Sequence, residues 1–361
     1  MKTHQVQQKT ERRISAALRL VFVAALLLGQ IALAFFLSTE LRQRAAIIYT
    51  VLELAAFGYA VRIYNRTDGT SYKFGWIFLV LTVPVVGLIL YFLWNGDRQQ
   101  KRLDLKKLPM PEEPEAQQAA HRIQMEKLRR KFPQWERLSV YLSRQGYLLY
   151  GDTETKYLPT GEAFLQDMLE KLEQAEHFIF LEFFIIAQGQ IWDRMEEIFR
   201  RKAAEGVEVK ILFDDFGSMM RFPAGQIEAL RESGVEVQIF NPVHHYVNRL
   251  YFNYRDHRKI VCIDGSTAYT GGANVADEYA NLTVRFGYWK DCGIRLDGPG
   301  AWGLTREFLH MWQRNGGQLM QERDYYRPHD HREAAGFCQP FVDGPDNNPI
   351  STAEDVFLHL I

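Results

Sequence analysis

The sequence is poor in cysteine: Cys262, Cys292 and Cys338 are the only three in 361 residues. Three thiols without C-x-x-C spacing exclude a disulfide framework and a cysteine zinc site. The chain also lacks an excess of either charge. Its 43 Lys+Arg against 44 Asp+Glu give a formal net charge of −1. That balance excludes an overall basic nucleic-acid binder and an acidic solvating tail. No internal repeat or long low-complexity tract is present. What the chain does have is apolar residues: 47% hydrophobic and 13% aromatic, which excludes a disordered chain. At about 100–200 residues per domain, the length accommodates two or three domains.

The apolar residues are concentrated at the front. Ile14 to Leu37 is a run of 24 residues with one charge, Arg19, and Trp76 to Trp94 is a run of 19 with none. A helix crossing a bilayer core needs about 20. Trp76, Tyr91 and Trp94 lie near the ends of the second run, where interfacial aromatics belong. Pro84 lies within it, and transmembrane helices tolerate proline. Ala45 to Val61, apolar apart from Glu53, is a third candidate. Ile14 to Leu37 exceeds the about 7–15 residues of a signal-peptide core. The sequence therefore predicts a transmembrane module of two or three helices over residues 1–97. Basic flanks precede the first run (Lys2, Lys9, Arg12, Arg13) and follow the last (Arg98, Lys101, Arg102, Lys106, Lys107). The positive-inside rule wants both in the cytoplasm, which requires an even number of spans, so either the middle segment re-enters or one flank breaks the rule.

Residues 98–136 read as a linker and surface helix, with three prolines in Leu108–Glu115 (LPMPEEPE). From about Arg137 strands and helices alternate. His177–Ile186 (HFIFLEFFII), Val207–Phe213, Val235–Phe240, Lys259–Ile263, Thr267–Thr270 and Asp291–Leu296 read as strands. Gly161–Ala175, Ile191–Glu205, Ala224–Ser233 and Gly300–Arg314 read as helices. This pattern predicts an α/β sheet covered by helices, with chemistry at the strand ends.

The chemistry is concentrated in Asn253–Asn274, NYRDHRKIVCIDGSTAYTGGAN. It contains H-x-K-x-x-x-x-D as His257, Lys259 and Asp264, then G-G-x-N as Gly271, Gly272 and Asn274. Alternate residues of a strand share a face, so His257 and Lys259 project together. An imidazole beside a fixed cation suits attack on an anionic phosphorus: the nitrogen is the nucleophile and the ammonium neutralises phosphoryl oxygens. Asp264, returning on a neighbouring turn, would orient the imidazole or the lysine. Gly271 and Gly272 would let backbone approach a phosphate, and Asn274 would offer an amide donor. Lysine and amides neutralise the charge, so no metal or other cofactor is expected. Glu182, inside an apolar strand, needs a partner. It either lines the site or pairs with a structural Arg or Lys. Asp214 and Asp215, at a strand end, fall near the site; Asp256 points away from His257.

These motifs resemble those of the phospholipase D superfamily, whose signature is a His/Lys/Asp motif followed by G-G/S-x-N. Within it the chain resembles bacterial cardiolipin synthases, from about Trp76 to the end. HFIFLEFFII, VKILFDDFGS, VEVQIFNP, TGGANVADEY and GYWKDCGIRLDGPG follow the family's order. The resemblance implies N-terminal transmembrane helices followed by a phospholipase D-like α/β domain at 137–340, a mixed sheet flanked by helices. It implies pocket support from Trp289 and Asp291. The implied activity is a phosphatidyltransferase that converts two phosphatidylglycerol molecules to cardiolipin and glycerol through a phosphohistidine. The implied partners are phosphatidylglycerol and membrane lipid, with no nucleic acid. The implied location is the cell membrane, multi-pass, with the catalytic domain at the cytoplasmic face.

The family uses two such motifs across one active site, and no other histidine of this sequence has lysine two residues later. Residues 341–361 read as the start of a second half, so the chain is expected to be a truncated product with little activity alone. The second motif would come from further chain in cis or from a second copy in trans. The alternatives are a single-motif phosphodiesterase or nuclease acting as a homodimer, and a non-catalytic lipid-binding half-enzyme.

Overall fold

The computed structural model describes residues 45–66, 70–94, 115–242, 255–318, 322–326, 336–344 and 352–361, with scattered positions between 24 and 35. The chain packs as two compact units. Residues 45–94 belong to the first, and the described residues from 115 onward make up the second.

The first unit is helical. Helix α1 spans Ala45–Tyr64, α2 Thr70–Thr82 and α3 Pro84–Trp94. The expected single span from Trp76 to Trp94 is not a continuous helix. The chain reverses at Val83–Pro84, and the rings of Trp76 and Tyr91 meet at 5.5 Å. Fifteen residues along an unbroken helix would put them about 22 Å apart. Proline at the start of α3 has no N–H to continue α2. The legs, 13 and 11 residues long, reach only about 20 and 16 Å, short of a bilayer core of about 30 Å. Among the described residues no helix is long and apolar enough to cross a membrane. Ala56, Ile63, Val80 and Tyr91 form a small core. The outer surface stays apolar: Val51, Leu54, Phe57, Phe74 and Phe78 are exposed. The Ile14–Leu37 run lies mostly outside the described residues, and Lys2–Arg13 and Arg98–Lys107 lie wholly outside them.

The second unit is the α/β domain. Its strands are β1 Glu154–Leu158, β2 Phe178–Phe183, β3 Glu208–Asp214, β4 Glu236–Phe240, β5 Lys259–Ile263, β6 Thr267–Gly271 and β7 Gly293–Asp297. They form one sheet in the order β1-β7-β6-β5-β2-β3-β4. The β2, β3 and β4 strands are parallel. The β5 strand runs antiparallel to β2, and β6, β7 and β1 continue antiparallel. The expected mixed sheet is therefore present. The strand β1 is an addition to the expected set: ETKYL is exposed over four of its five positions and is defined by its pairing with β7.

Helices cover both faces. They are α4 Glu115–Lys131, α5 Glu136–Arg144, α6 Gly161–Leu172, α7 Gln190–Ala204, α8 Ala224–Glu232, α9 Ala301–Arg314 and α10 Thr352–Leu360. Because successive strand residues alternate, β2 sends Ile179, Leu181 and Phe183 into the core shared with α6, α7 and α8. It sends Phe178 and Phe180 into the core shared with α5 and α9. All six β2 residues are buried, as expected of a strand covered on both faces. Phe180 stacks on Phe178 at 4.4 Å and on Phe308 at 4.8 Å; burying one such ring contributes about 1.5–3 kcal/mol. The α10 helix packs on this second core through buried Val356, and Tyr141 donates to Asp355 at 2.5 Å.

Candidate active site

One end of the sheet gathers most of the expected site residues. In register, Lys259 lies beside Phe183 and Gly271 beside Gly293. The C-terminal ends of parallel β2, β3 and β4 point the same way, the end where α/β sheets carry their chemistry. His257 is exposed there, two residues before β5, and Lys259 is buried.

Phe184, just beyond β2, is the platform for both. Its ring lies 4.7 Å from the His257 ring, and the Lys259 ammonium sits 5.6 Å above it. Lys259 Nζ also donates to the His257 carbonyl at 2.6 Å. Partial burial, with help from Lys259, holds the His257 imidazole below its ordinary value against the pull of Asp256. Burial pushes Lys259 down to about 8, against the attraction of Asp256 and Asp291. The result is an imidazole biased toward its neutral form beside a lysine that is still mostly cationic near neutrality.

The loop carrying His257 is tied down by Asp214, at the end of β3. Asp214 accepts from Asp256 N at 2.9 Å and Phe216 N at 2.8 Å, and pairs with Arg255 at 3.2 Å. Burial raises its carboxyl to about 7 despite Arg255. On the sheet face away from Lys259, the face that also carries Asp214, Arg258 Nε lies 2.8 Å from Glu182 and 3.1 Å from Asp256. Of the two roles open to Glu182, the arginine pairing is the one present. Asp256 shares that partner, pointing away from His257 as anticipated.

Asp264 lies elsewhere. It follows the far end of β5, about 17 Å along the strand from Lys259. Its Oδ1 accepts from His177 N at 2.7 Å and Phe178 N at 2.8 Å, and its Oδ2 from Glu176 N at 2.9 Å. The expectation that it orients the imidazole or the lysine is thus corrected: it fastens the start of β2 to the end of β5. The positive φ of 53° suits the turn, which Asp tolerates better than most residues.

The glycine pair and Asn274 reach the right end of the sheet but are otherwise engaged. Gly272 N donates to Cys292 O at 3.1 Å. A Cβ on Gly271 would meet Cys292 O at 2.6 Å, and one on Gly272 would collide with Asp291 Oδ1. These glycines let the segment before β7 approach, where a phosphate cradle was expected. Asn274 Oδ1 accepts from Ile185 N at 3.0 Å, and its Nδ2 donates to Tyr279 Oη at 2.9 Å. It positions the turn under Phe184 and is not held open as a phosphate donor. Trp289 and Asp291 do stand by the site. Trp289 packs on Tyr279 at 4.7 Å, and Asp291 supports the charge of Lys259.

Phe184 and Tyr279 are site residues that neither the motif nor the other candidates read from the sequence include. Phe184 sits inside a run legible as a strand, and its place at the strand's end is the one signal the sequence offers for it. Asn248 and Arg249, which just before the motif are candidates to touch a phosphate, lie outside the described residues.

The family model of the cardiolipin synthase PLD-like domain matches residues 168–284. That of the phospholipase D-nuclease N-terminal segment matches 54–95. The chain belongs to the phospholipase D superfamily. It is 34% identical over 309 residues to an uncharacterized protein of Streptococcus mutans, covering 84% of this chain and 66% of that one. It is 31% identical to cardiolipin synthase 2 of Bacillus anthracis, covering 81% and 57%. It is 29% identical to the cardiolipin synthase of Alkalihalophilus pseudofirmus, covering 86% and 62%. The chain thus spans about three fifths of the length of these relatives.

Proposed function

We propose that this chain carries one half of the active site of a membrane-bound phosphatidyltransferase of the cardiolipin synthase type. The observation that supports it is the placement of His257 and Lys259 together on Phe184, with the imidazole biased to its neutral form beside a buried cation. Relatives that bear the cardiolipin synthase name support the substrate class.

In the proposed reaction a ring nitrogen of His257 attacks the phosphorus of phosphatidylglycerol. The new P–N bond replaces the P–O bond to glycerol, which leaves with a proton from an acid. Lys259 neutralises the phosphoryl oxygens as charge develops. The terminal hydroxyl of a second phosphatidylglycerol then gives up its proton and attacks, forming cardiolipin and releasing the imidazole. One phosphodiester replaces another, so no nucleotide enters. The acid and base is a second histidine, from a second H-x-K motif in further chain or in a second copy arranged about a twofold axis. Asn274 serves as a positioning residue, and Asp264 as a structural tie between β2 and β5. Gly271 and Gly272 act by bringing Asp291 to Lys259.

The first unit is proposed to sit at the cell membrane, with its apolar exterior against lipid and the catalytic domain on the cytoplasmic side. The hairpin of α2 and α3 then enters the bilayer from one face.

The test is cardiolipin and glycerol formation by the purified chain in phosphatidylglycerol vesicles. Monomeric chain is expected to be nearly inactive, and supplying a second H-x-K half or enforcing dimerisation is expected to restore turnover dependent on His257. Robust cardiolipin formation by isolated monomer contradicts the proposal.

A further inference from the structure

Between the short helix at Asp277–Ala280 and β7, the chain makes a loop that stands out from the second unit. In seven residues it exposes four large apolar side chains: Leu282 at 48%, Val284 at 86%, Phe286 at 74% and Tyr288 at 68%. The base of this loop is fastened. Asn281, in the left-handed region with φ 51°, accepts from Trp289 N at 2.7 Å and donates to Trp289 O at 3.0 Å. Leu282 N donates to Asp277 O at 3.0 Å. A loop closed this firmly holds its apolar tip out by construction. Water is an unfavourable surrounding for such a tip, and clustered apolar exposure marks an interaction surface.

The composition indicates what covers it. Leu282–Lys290 (LTVRFGYWK) has two cations, Arg285 and Lys290, and no carboxylate. Below it Arg285 and Arg221 share the single carboxylate Glu278, at 3.1 and 2.6 Å. Apolar and aromatic side chains interleaved with cations are the composition of segments that lie in an anionic bilayer surface. A protein groove would instead be matched by acceptors and donors in a rim around the apolar centre. The loop springs from the end of the sheet that bears His257, and Asp291 at its return acts on Lys259.

We propose that the Asn281–Trp289 loop dips into an anionic lipid surface and seats the His257 end of the sheet at the headgroup plane. The choice of lipid as occupant rests partly on the phosphatidyltransferase reading. The insertion itself can be read without turnover.

The experiment places a nitroxide at position 284 (Val284→Cys) in the full chain, with Cys292→Ser removing the exposed thiol, and reconstitutes it in phosphatidylglycerol/phosphatidylcholine vesicles. A second label site (Phe286→Cys) guards against a misfolded first one. Gln174→Cys, at the opposite end of the sheet, is the aqueous control. The expected result is that labels at 284 and 286 lose collisions with a water-soluble nickel complex and gain collisions with oxygen, while 174 is unchanged. Labels at 284 and 286 that stay as nickel-accessible as 174 overturn the proposal. So does protection of 284 from nickel without a matching gain in oxygen collisions, which would assign the surface to a protein partner. Equal immersion in phosphatidylcholine alone overturns the anionic preference. Immersion of the loop in a chain that never phosphorylates His257 leaves this inference standing and removes the phosphatidyltransferase reading.

Discussion

The two ends of β5 carry the same sequence motif and have different work. At one end His257 and Lys259 share the Phe184 ring beside two buried carboxylate networks. At the other, Asp264 commits both oxygens to three backbone N–H groups at the start of β2. One end is built to keep an imidazole neutral and a cation close. The other is built to hold two antiparallel strands in register. A motif compact in sequence is therefore spread along the length of a strand, and its members should respond differently to substitution: in reactivity at the first end, in stability at the second.

His257→Ala should have the largest effect, lowering turnover of the complete two-motif assembly on the order of 10³-fold or more with an unchanged melting curve, as measured by cardiolipin formation and thermal unfolding. Lys259→Gln should lower turnover about 10²–10³-fold by removing the charge facing the phosphoryl oxygens. The pH profile sharpens this assignment. His257 gains a proton only below its lowered value, so the acid limb should lie beneath the ordinary histidine range. Lys259 loses its charge as pH rises through about 8, so activity should fall above that point. In Lys259→Arg the alkaline limb should move upward by at least a unit or so, because arginine stays charged. Asp264→Ala should do the reverse of His257→Ala. It should lower unfolding free energy by about 2–4 kcal/mol, read by denaturant titration, with turnover per folded molecule nearly intact. Phe184→Leu should be mildest, a several-fold loss in turnover from a less well-placed imidazole, with a raised imidazole pKa visible by NMR as Lys259 relaxes away.

Much of this is legible in the sequence. The buried run of β2, the H-x-K spacing and the alternation of elements each have local signals, and each element forms close to where its pattern places it. Asp264 cannot be read the same way. Its partners are 86 to 88 residues away, and only the pairing of β2 with β5 brings them to it. The glycine pair poses the same difficulty, since the atoms that exclude a Cβ belong to Cys292 and Asp291 across the β6–β7 pairing. The strand β1 escapes a reading of the sequence because its side chains face water, so no period-two apolar signal marks it. In the first unit the composition of Trp76–Trp94 suits a span and a hairpin equally. Only the break at Val83–Pro84 separates them, and Pro84 alone is compatible with either outcome.

The most direct test of the division along β5 is to follow covalent labelling and unfolding in the same preparations. The two-motif assembly, as wild type, His257→Ala and Asp264→Ala, is given phosphatidylglycerol labelled in its phosphate, quenched during turnover and mapped for phosphohistidine. Label is expected at His257 in the wild type and in the folded fraction of Asp264→Ala, with none at position 257 in His257→Ala, and a lowered melting temperature in Asp264→Ala alone. Loss of labelling in fully folded Asp264→Ala, or labelling unaffected by His257→Ala, would contradict that division.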